Sequence, residues 1–540
     1  MFVRQTVLIL VVMMYVGSGF RRSQISHQQT RRLAAGSGLV KDAVAWCGLN
    51  GLMYTDGNLS WSHAPVTLVP STFPQSSFQY VEQMQPLINK MVDKIARDRE
   101  FLTRCLEPVA ESDDFVKRLL ALYQSLPEST VARGVNLGIH RSDYMLNDDP
   151  QSGALSTSSS FVPLQIEINT IASSFGCLSQ RVGQLHRHVL ARFAQSEELL
   201  SLLSALEFPP ALSADPQSAS FSSPENASIR SLATALALGH FLSGDSNAVI
   251  VFIVQPKERN QADQRLFALE LWNVHKIRTE FLTLEEMHSM TRVDPEDGSL
   301  RLRLPGEMGD KTVSVAYYRA GYSPDDYSSE KEWEARSRIE RSSAIKCPSV
   351  GYQLAGTKRV QQELCLPGVV EHFLGDAGDA SKLRRCFAAQ YSMQGLSTSG
   401  QAAAGADVGT LAAIDSATRD GSSWVLKPQR EGGGNNLYGA ALSQFLASNR
   451  ATPAALAPFV LMQRIFPKPR LAAFLRQGEL KILPSISELG IYGTFMGDGE
   501  AEPLLNEVAG YLLRTKPAGV DEGGVATGYS VLSSVVLTNE

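Results

Sequence analysis

A lysine, a carboxylate, three consecutive glycines and two asparagines share the short segment VLKPQREGGGNNLYG, residues 425–439. Pro428 has no backbone N–H group to donate to a sheet, so we expect the strand that delivers Lys427 to end there. The glycines let several N–H groups approach an anion without interference from a Cβ atom. With Lys427, Glu431 and Asn436 beside them, they suit a polyphosphate that carries Mg²⁺. The segment indicates a phosphate cover or a mobile flap, and a plain hairpin turn is the alternative.

A second polar cluster lies in LQIEINTIASSFG, residues 164–176. Glu167 and Asn169 alternate with isoleucines, so on a β-strand both side chains point to one side while the isoleucines point to the other. A solvated strand face would show the same alternation. Together with Glu431 the pair provides three oxygen ligands, which is enough for Mg²⁺ bridging ATP phosphates with water completing the shell.

Other nucleotide and metal signatures in the sequence are incomplete. GYQLAGTK, residues 351–358, places a threonine between the glycine and the lysine that a P-loop needs side by side, so we reject a P-loop NTPase. No G-x-G-x-x-G segment follows a predicted strand, so a dinucleotide fold is not supported. The histidines of HRH, residues 186–188, would not share a helix face, and we interpret them as surface or packing residues.

The composition is that of an ordinary globular protein. The 540 residues are enough for roughly two to four domains with large cores. Lysine and arginine number 50 against 55 acidic residues, which gives a net charge of -5 and argues against a dedicated nucleic-acid binder. The six cysteines form no C-x-x-C pair, and we predict reduced, mostly buried thiols rather than a disulfide scaffold or a zinc site.

The N-terminus departs from this composition. An apolar run from Val7 to Val16 precedes RRSQISHQQTRR, and no acidic residue occurs before Asp42. The run is too short for a comfortable membrane span and has the length of a signal-peptide core, while the arginine-rich and serine-rich segment is typical of transit peptides. We predict a processed targeting segment over residues 1–30 and no stable membrane span in the mature protein. A mistaken start codon or a frayed hydrophobic tail is the alternative.

Helical and strand patterns alternate along the rest of the chain, which predicts an α/β protein. Apolar residues recur at helical spacing over residues 76–106 and predict one or two packed helices. Short β-branched or aromatic runs predict buried strands at residues 248–254, 313–318, 424–427 and 459–465. The small, polar residues of 213–228 and 397–421 predict surface loops or insertions.

Six segments resemble, in collinear order, those of eukaryotic-type glutathione synthetase, a family of ATP-grasp ligases. They are KPQREGGGNNLYG, QIEINTIASSFG, LGIHRSDYML, QLAGTKRVQQEL, SELGIYG and LLRTKPAGVDEGGVATG. The resemblance implies an α/β (α+β) ATP-grasp fold with a glycine-rich lid and an inserted parallel-sheet substrate-binding subdomain. It implies an N-terminal part of the ATP-grasp body at 31–246, the substrate-binding subdomain at 247–357, and an ATP-binding part at 358–540 with its lid at about 427–475.

The family joins γ-glutamylcysteine to glycine with ATP and Mg²⁺ through an acyl phosphate. The resemblance therefore implies a homodimeric, cytoplasmic ligase with these small-molecule partners, while the unusual N-terminal extension leaves an organelle or a secretory route open. Two alternatives stay open: a homoglutathione-type ligase that uses β-alanine, and a non-catalytic ATP-binding protein of the same fold.

Carried over position by position, the resemblance implies three overlapping sets of site residues. Catalytic roles fall to Arg514, Lys358 and Lys427, and Mg²⁺ ligands to Glu167, Asn169 and Glu431. The implied ATP contacts are Glu167, Lys358, Lys427, Glu431, Gly432, Gly433, Gly434, Asn435, Asn436, Tyr438, Met462, Gln463, Arg464, Ile465, Glu488, Lys516 and Glu522. The implied substrate contacts are Arg141, Ala172, Ser173, Ser174, Glu258, Arg259, Asn260, Gln264, Arg319, Tyr322, Arg514, Val525 and Ala526.

The motifs depart from the usual family pattern at Ala172, Ala320 and Glu522, where many members have Ser, Asp and Asp. These changes leave the charged site residues in place, so we expect an active enzyme.

Overall fold

The computed structural model describes residues 37–58, 60–148, 162–209, 223–393, 408–429, 435–450, 452–499 and 502–539. The predicted targeting segment therefore lies outside the described residues, as do Glu431 and Gly432 to Gly434. No helix in the described ranges is long and apolar enough to cross a membrane.

Helices cover both faces of the sheets. They are α1 (Gly38–Leu49), α2 (Gln75–Arg97), α3 (Arg99–Ala110), α4 (Asp114–Gln124), α5 (Glu128–Arg133), α6 (Gly176–Arg192), α7 (Glu197–Ala205), α8 (Ser228–Leu242), α9 (Gln261–His275), α10 (Leu284–Met290), α11 (Glu330–Arg341), α12 (Val350–Ala355), α13 (Lys358–Leu364), α14 (Val369–Leu374), α15 (Ala377–Arg384), α16 (Val408–Arg419), α17 (Gly439–Asn449) and α18 (Pro453–Leu456).

The strands form several sheets. They are β1 (Met53–Thr55), β2 (Trp61–His63), β3 (Val66–Thr67), β4 (Ser71–Pro74), β5 (Asn136–Asn147), β6 (Val162–Asn169), β7 (Val249–Ile253), β8 (Thr279–Leu282), β9 (Thr291–Val293), β10 (Leu300–Leu302), β11 (Lys311–Tyr318), β12 (Ile345–Cys347), β13 (Gln390–Ser392), β14 (Trp424–Pro428), β15 (Leu437–Tyr438), β16 (Phe459–Gln463), β17 (Arg470–Arg476), β18 (Glu479–Gly497), β19 (Leu505–Pro517), β20 (Val531–Ser533) and β21 (Val535–Thr538).

The predicted helical stretch 76–106 forms two helices rather than one. Asp98 ends α2, and its carboxylate accepts a hydrogen bond from the N–H of Phe101 at the start of α3. Such an N-cap satisfies a backbone donor that the new helix would otherwise leave unpaired. The buried faces of both helices, including Phe78, Ile88 and Leu102, pack into one apolar core with β18 and β19.

A seven-stranded sheet with the order β17-β3-β20-β19-β18-β5-β6 carries much of the candidate site. Its register sets polar residues side by side, because directly opposed residues on neighbouring strands lie only about 4.5–5.5 Å apart. Arg141 on β5 lies opposite Asn169 on β6, and Glu488 on β18 lies opposite Arg514 on β19. β17 also pairs with β18, which closes five of the strands into a ring.

A six-stranded sheet contains β7, β8, β11 and β12 as parallel strands, with β9 and β10 antiparallel beside them. The strands predicted at 248–254 and 313–318 are confirmed as its neighbouring strands β7 and β11. Ligands of such sheets bind beyond the carboxyl ends of the strands. Here those ends lead into residues 255–260 and 319–322, which include predicted substrate contacts.

A four-stranded antiparallel sheet has the order β13-β16-β14-β15 and confirms the strands predicted at 424–427 and 459–465. As predicted, β14 ends at Pro428. The loop predicted for residues 397–421 is wrong over α16, because 408–419 forms a helix. Its small apolar face, with Ile414 and Ala417, packs against Leu426 and Leu461 of the sheet.

The cysteine and histidine interpretations agree with the structure. All six cysteines are free thiols, and only Cys365 is partly exposed. His186 is buried against Ser534 and the carbonyl oxygen of Thr67, while His188 pairs with Asp42 at the surface. The two histidines therefore serve different packing contacts and share no site.

Candidate active site

A cavity of about 430 Å³ lies among residues of the three large sheets. The predicted site residues that line it are Arg141, Glu167, Asn169, Ala172, Ser173, Ser174, Glu258, Arg259, Asn260, Arg319, Tyr322, Lys358, Lys427, Asn435, Asn436, Tyr438, Met462, Gln463, Arg464, Ile465, Glu488, Arg514, Lys516, Glu522, Val525 and Ala526. Gln264 does not line it but is buried behind the wall, where its side-chain amide donates to Glu258. Glu431 and Gly432 to Gly434 lie outside the described residues.

One carboxylate, that of Asp143, organises the floor of the cavity. Arg141 donates to it through Nε at 2.7 Å and Nη2 at 2.8 Å, and Arg514 donates through Nη2 at 2.9 Å. The amide nitrogen of Asn169 donates to the same carboxylate at 3.0 Å. Arg514 also donates to Glu488, the residue opposite it on β18. Asp143 therefore fixes the positions of three predicted site residues at once.

In this network, burial and the neighbouring charges of opposite sign have opposite effects on the pKa values. Burial disfavours the charged form of Asp143, but the guanidinium groups of Arg141 and Arg514 outweigh it and hold the pKa of Asp143 below its ordinary value. Burial lowers the pKa of Arg514, although arginine stays protonated because its ordinary pKa is so high. The floor of the cavity therefore holds two fixed guanidinium groups, which the carboxylates of Asp143 and Glu488 accompany.

A glycine makes room for this network. Gly490 on β18 lies opposite Asp143, and a Cβ atom at this position would meet Asp143 Oδ1 at 2.6 Å and Arg141 Cδ at 2.8 Å. A Cβ atom essentially never comes that close to another heavy atom, so any side chain here would displace the ion pair. The small residue in the SELGIYG motif is thus explained by the salt bridge beside it.

Three lysines approach the cavity from separate elements. Lys427 reaches it from β14 and donates to the carbonyl oxygen of Ile166 at 3.1 Å, and Lys358 is the first residue of α13. Both are 8% exposed. Lys516 donates to the carbonyl oxygens of Asp521 and Glu522, and burial lowers its pKa to about 8 despite these two acidic neighbours. The three amines make this side of the cavity suited to an anion.

The turn at residues 172–175 forms another wall. Ala172 and Phe175 have positive φ angles of 51° and 72°, so the backbone between β6 and α6 is strained. Arg319 stabilises it by donating to the carbonyl oxygen of Ser173 at 2.8 Å and to Ser174 Oγ at 2.9 Å.

The buried carboxylate of Asp263 supports the same turn from behind. It accepts hydrogen bonds from the N–H groups of Phe175, Cys177 and Leu178 at 2.8–3.2 Å, and so caps the N-terminus of α6. Burial raises its pKa, although Arg319 nearby opposes the shift. A negative charge at a helix N-terminus is favourable, which is consistent with this use of a buried carboxylate.

The loop of residues 519–527 covers the cavity from the other side. Glu522 accepts from the N–H of Asn436 at 3.3 Å, and Asp521 pairs with Arg464 at 2.6 Å. Arg259 donates to the carbonyl oxygen of Ala526 at 3.1 Å. The loop therefore joins residues of the four-stranded sheet to the segment that follows β7.

The donor set fits Mg²⁺. Glu167 and Asn169 both line the cavity, and Ile168 packs into the core, as their alternation predicts. The prediction is wrong for Ile166, which also lines the cavity, because the register of β5 and β6 is irregular at this point. Because the amide nitrogen of Asn169 is bonded to Asp143, its amide oxygen is turned away from that carboxylate. Mg²⁺ typically uses one or two protein carboxylates together with phosphate oxygens. No cluster of three His, Cys, Asp or Glu residues exists in the described part of the chain that could hold a metal by itself.

Several residues at the site are not among those that the family resemblance implies. Asp143 could have been found by the same reasoning as Glu167, since it follows Arg141 by two positions on a strand. Gln255 directly follows the predicted strand 248–254, at the end where ligands bind. Tyr54, from the N-terminal strand β1, lines the cavity with no local sequence signal.

Comparison with known proteins shows the family of this chain. A sequence model of the eukaryotic glutathione synthase ATP-binding domain matches residues 34–537. The chain belongs to the eukaryotic glutathione synthase family. It is 38% identical to the chloroplastic glutathione synthetase of Solanum lycopersicum over 509 residues, 92% of this chain and 84% of that protein. It is 37% identical to the glutathione synthetase of Homo sapiens over 480 residues, 88% of this chain and 90% of that protein.

A solved structure supports the ATP-grasp type of fold. A glutathione synthetase-like effector from Globodera pallida, in its apo form, aligns with a TM-score of 0.68 over 96% of this chain and 100% of that chain. Its sequence identity is 21%, so the likeness concerns the fold alone.

Proposed function

We propose that this glutathione synthase family member joins γ-glutamylcysteine to glycine, with ATP converted to ADP and phosphate through an acyl phosphate. The observation that carries the proposal is the arrangement of charge in one cavity. Arg514 lines the same cavity as the three lysines, which are suited to phosphates, and the turn at 172–175, which is suited to an amino-acid substrate. A ligase that activates a carboxylate with ATP needs these groups in one site.

The residues explain how a carboxylate could be phosphorylated. A carboxylate and the γ-phosphate of ATP are both anions, so they approach each other only with cations between them. Lys358 and Lys427 would meet the phosphates, and Arg514 would meet the reacting carboxylate and the oxygens of the acyl phosphate. This is electrostatic stabilisation by preorganised groups, and no covalent enzyme intermediate is needed.

Glu167 and Asn169 would hold Mg²⁺, with Glu431 as the third ligand that the resemblance implies. The ion would neutralise phosphate charge during transfer. Asn169 is kept in place by Asp143, which couples the metal position to Arg141 and Arg514.

Water must be excluded before glycine attacks the acyl phosphate, since hydrolysis would waste ATP. The glycine-rich segment and the loop 519–527 would do this together. In the structure, Glu522 of the loop contacts Asn436 of the glycine-rich segment, and Asp521 of the loop contacts Arg464, which directly follows β16. Val525 and Ala526 would then face glycine, and the adenosine part of ATP would lie near the segment from Met462 to Ile465.

The larger organisation follows the same family pattern. We propose a substrate-binding subdomain at 247–357, inserted between parts of the ATP-grasp body at 31–246 and 358–540, with the lid at about 427–475. We also propose a homodimer. The relatives from Solanum lycopersicum and Arabidopsis thaliana are named chloroplastic, and with the N-terminal sequence this favours an organelle over the cytoplasm.

The proposal is tested by ADP release from a purified chain lacking residues 1–30, supplied with ATP, Mg²⁺ and γ-glutamylcysteine, with and without glycine. We expect release that depends on both substrates, with glutathione identified by mass spectrometry. Competition between glycine and β-alanine separates glutathione from homoglutathione synthesis. ATP binding without amine-dependent release would contradict the ligase and support the non-catalytic alternative.

A substitution tests the role of Arg514. Arg514→Ala should lower kcat by at least about 100-fold, as the loss of a major electrostatic group commonly does. The control is Arg118→Ala, which removes an arginine that forms a bidentate but exposed pair with Glu330. Equal activity of the two variants would overturn the assignment of Arg514 to the acyl phosphate.

A further inference from the structure

Gln255 lies in the wall of the cavity, two residues beyond the carboxyl end of β7. Tyr322 lies in the same wall beyond the end of β11, the strand parallel to β7. The side-chain amide of Gln255 donates to the hydroxyl of Tyr322 at 2.9 Å. It also donates to Asp326 Oδ1 at 2.9 Å. The two loops are therefore joined through one side chain.

Asp326 fixes which way this amide points. Its Oδ2 accepts hydrogen bonds from the backbone N–H groups of Gly321, Tyr322 and Ser323 at 2.9–3.3 Å. A carboxylate with this set of donors can only accept. If the Gln255 amide were turned over, its oxygen would face Asp326 Oδ1 at about the present distance, and two acceptors would repel each other. The nitrogen must face Asp326.

The consequence is an oriented acceptor at the cavity wall. Both amide hydrogens of Gln255 are used by Tyr322 and Asp326, and its oxygen accepts no hydrogen bond from any described residue. Glu258, three positions further on, lines the same wall with a carboxylate held by the N–H of Asn260 and the amide of Gln264. Two fixed acceptors thus line this stretch of the wall, together with the cationic side chains of Lys257 and Arg259, and the acceptors suit a group that only donates.

Two other residues that line the cavity are donors. Arg141 and Arg319 both contact the turn at 172–175 and suit a carboxylate. A ligand with a carboxylate and an ammonium group on one carbon would satisfy both sides, and the γ-glutamyl end of the proposed dipeptide has that chemistry. This step depends on the proposed function for the identity of the dipeptide.

We propose that Gln255 is a specificity-determining residue, whose amide oxygen accepts a hydrogen bond from the α-ammonium group of the γ-glutamyl moiety. Asp326 is its positioning residue, because it prevents the amide from turning over. The pair selects dipeptides that carry a free α-amino group and discriminates against analogues that lack it.

The test compares two substrates that differ only in the ammonium group, γ-glutamylcysteine and N-glutarylcysteine. The kcat/KM ratio of the two is measured for the wild type and for Gln255→Met, which has similar length but no hydrogen-bonding amide. The ratio should fall at least about tenfold in the variant, the range of one hydrogen bond to a charged group. The change should occur in KM for γ-glutamylcysteine, with kcat changed much less.

A second variant tests the orienting role of Asp326. Asp326→Asn keeps an oxygen for the backbone N–H groups but offers an NH₂ group that allows the Gln255 amide to turn over. It should reduce the same ratio while the melting temperature stays close to that of the wild type. Gln124→Met, at an exposed glutamine that contacts Thr103, is the matched control and should leave the ratio unchanged.

Each outcome decides the inference. If Gln255→Met lowers kcat/KM equally for both dipeptides, or for neither, Gln255 has a structural role at most and the proposal is overturned. If the wild type joins neither dipeptide to glycine, the proposed function fails instead. The wild-type measurement separates these two failures before any variant is made.

Discussion

Replacing Asp143 with asparagine should weaken both the fold and catalysis. The carboxylate is fully buried and takes two hydrogen bonds from Arg141, one from Arg514 and one from Asn169. Asparagine has the same shape but carries no charge, and its NH₂ group must face at least one other donor. Two buried guanidinium groups would then share a single neutral oxygen.

The size of the effect follows from this geometry. Breaking a buried ion pair by removing one partner costs about 3–5 kcal/mol. An unfolding entropy of about 2.1 cal/mol/K per residue sums to roughly 1.1 kcal/mol/K if all 540 residues unfold as one unit. The melting temperature of Asp143→Asn should therefore fall by roughly 3 to 4 °C.

The pH dependence of this stabilisation has a definite sign. The folded-state pKa of Asp143 lies below its ordinary value of 3.8, so its contribution is fully present above that value. It is lost as the pH falls through the folded-state pKa. The difference in melting temperature between wild type and variant should therefore be constant from about pH 5 to pH 8, where the carboxyl group is charged in both states.

The assay is thermal unfolding followed by circular dichroism, together with steady-state ADP release. Asp297→Asn is the matched control, because Asp297 pairs with Arg301 at 3.0 Å on the surface, where such pairs contribute about 0–1 kcal/mol. We also expect kcat of Asp143→Asn to fall by up to about 100-fold, since Arg514 loses its anchor. The reasoning is refuted if Asp143→Asn and Asp297→Asn have the same melting temperature.

Three further predictions concern other parts of the cavity. Gly490→Ala should displace the Arg141–Asp143 pair and reduce activity, whereas Gly38→Ala, where a Cβ atom meets nothing within 4 Å, should leave activity unchanged. The affinity of the wild type for ATP, measured by calorimetry, should weaken as the pH rises through about 8, because Lys516 loses its proton there. The Lys516→Met variant should bind ATP more weakly than the wild type, and its affinity should not show this pH dependence. Arg464→Gln should raise the ratio of ATP hydrolysis without glycine to ligation, because it removes the contact with Asp521. If this ratio is unchanged, the contact between Arg464 and the loop at 519–527 does not help to exclude water.

The sequence predicts elements best where apolar residues form a clear pattern. β7 and β11 are continuous β-branched or aromatic runs and were predicted within a few residues. α16 was missed because its sequence, VGTLAAIDSATR, contains mainly small residues and shows little contrast between its faces. Packing of Ile414 against the four-stranded sheet stabilises that helix, and such a contact is not visible in local sequence.

Some features of the candidate site can likewise be predicted from the sequence, and others cannot. The alternation of Glu167 and Asn169 gives their common direction without any structure, because a strand has a period of two. The ion pairs of Arg514 depend instead on strand register, which brings it beside Glu488 on β18 and Asp143 on β5. The motifs identify Arg514 and Glu488 as site residues, but only the register shows that they touch.

The carboxylate of Asp143 also couples two parts of the proposed reaction, the binding of the dipeptide and the stabilisation of the acyl phosphate. Arg141 contacts the carbonyl oxygen of Ser174, in the turn proposed to bind the dipeptide, at 3.2 Å, while Arg514 is the residue proposed to meet the acyl phosphate. Both are bonded to Asp143, so neither can shift without disturbing the other. In the proposed reaction, dipeptide position and phosphate stabilisation would therefore both depend on this one sheet, whereas exposed contacts with Arg259 and Arg464 help to hold the loop at 519–527. This division suits a ligase that must open its cover in each cycle and still keep its charged groups preorganised.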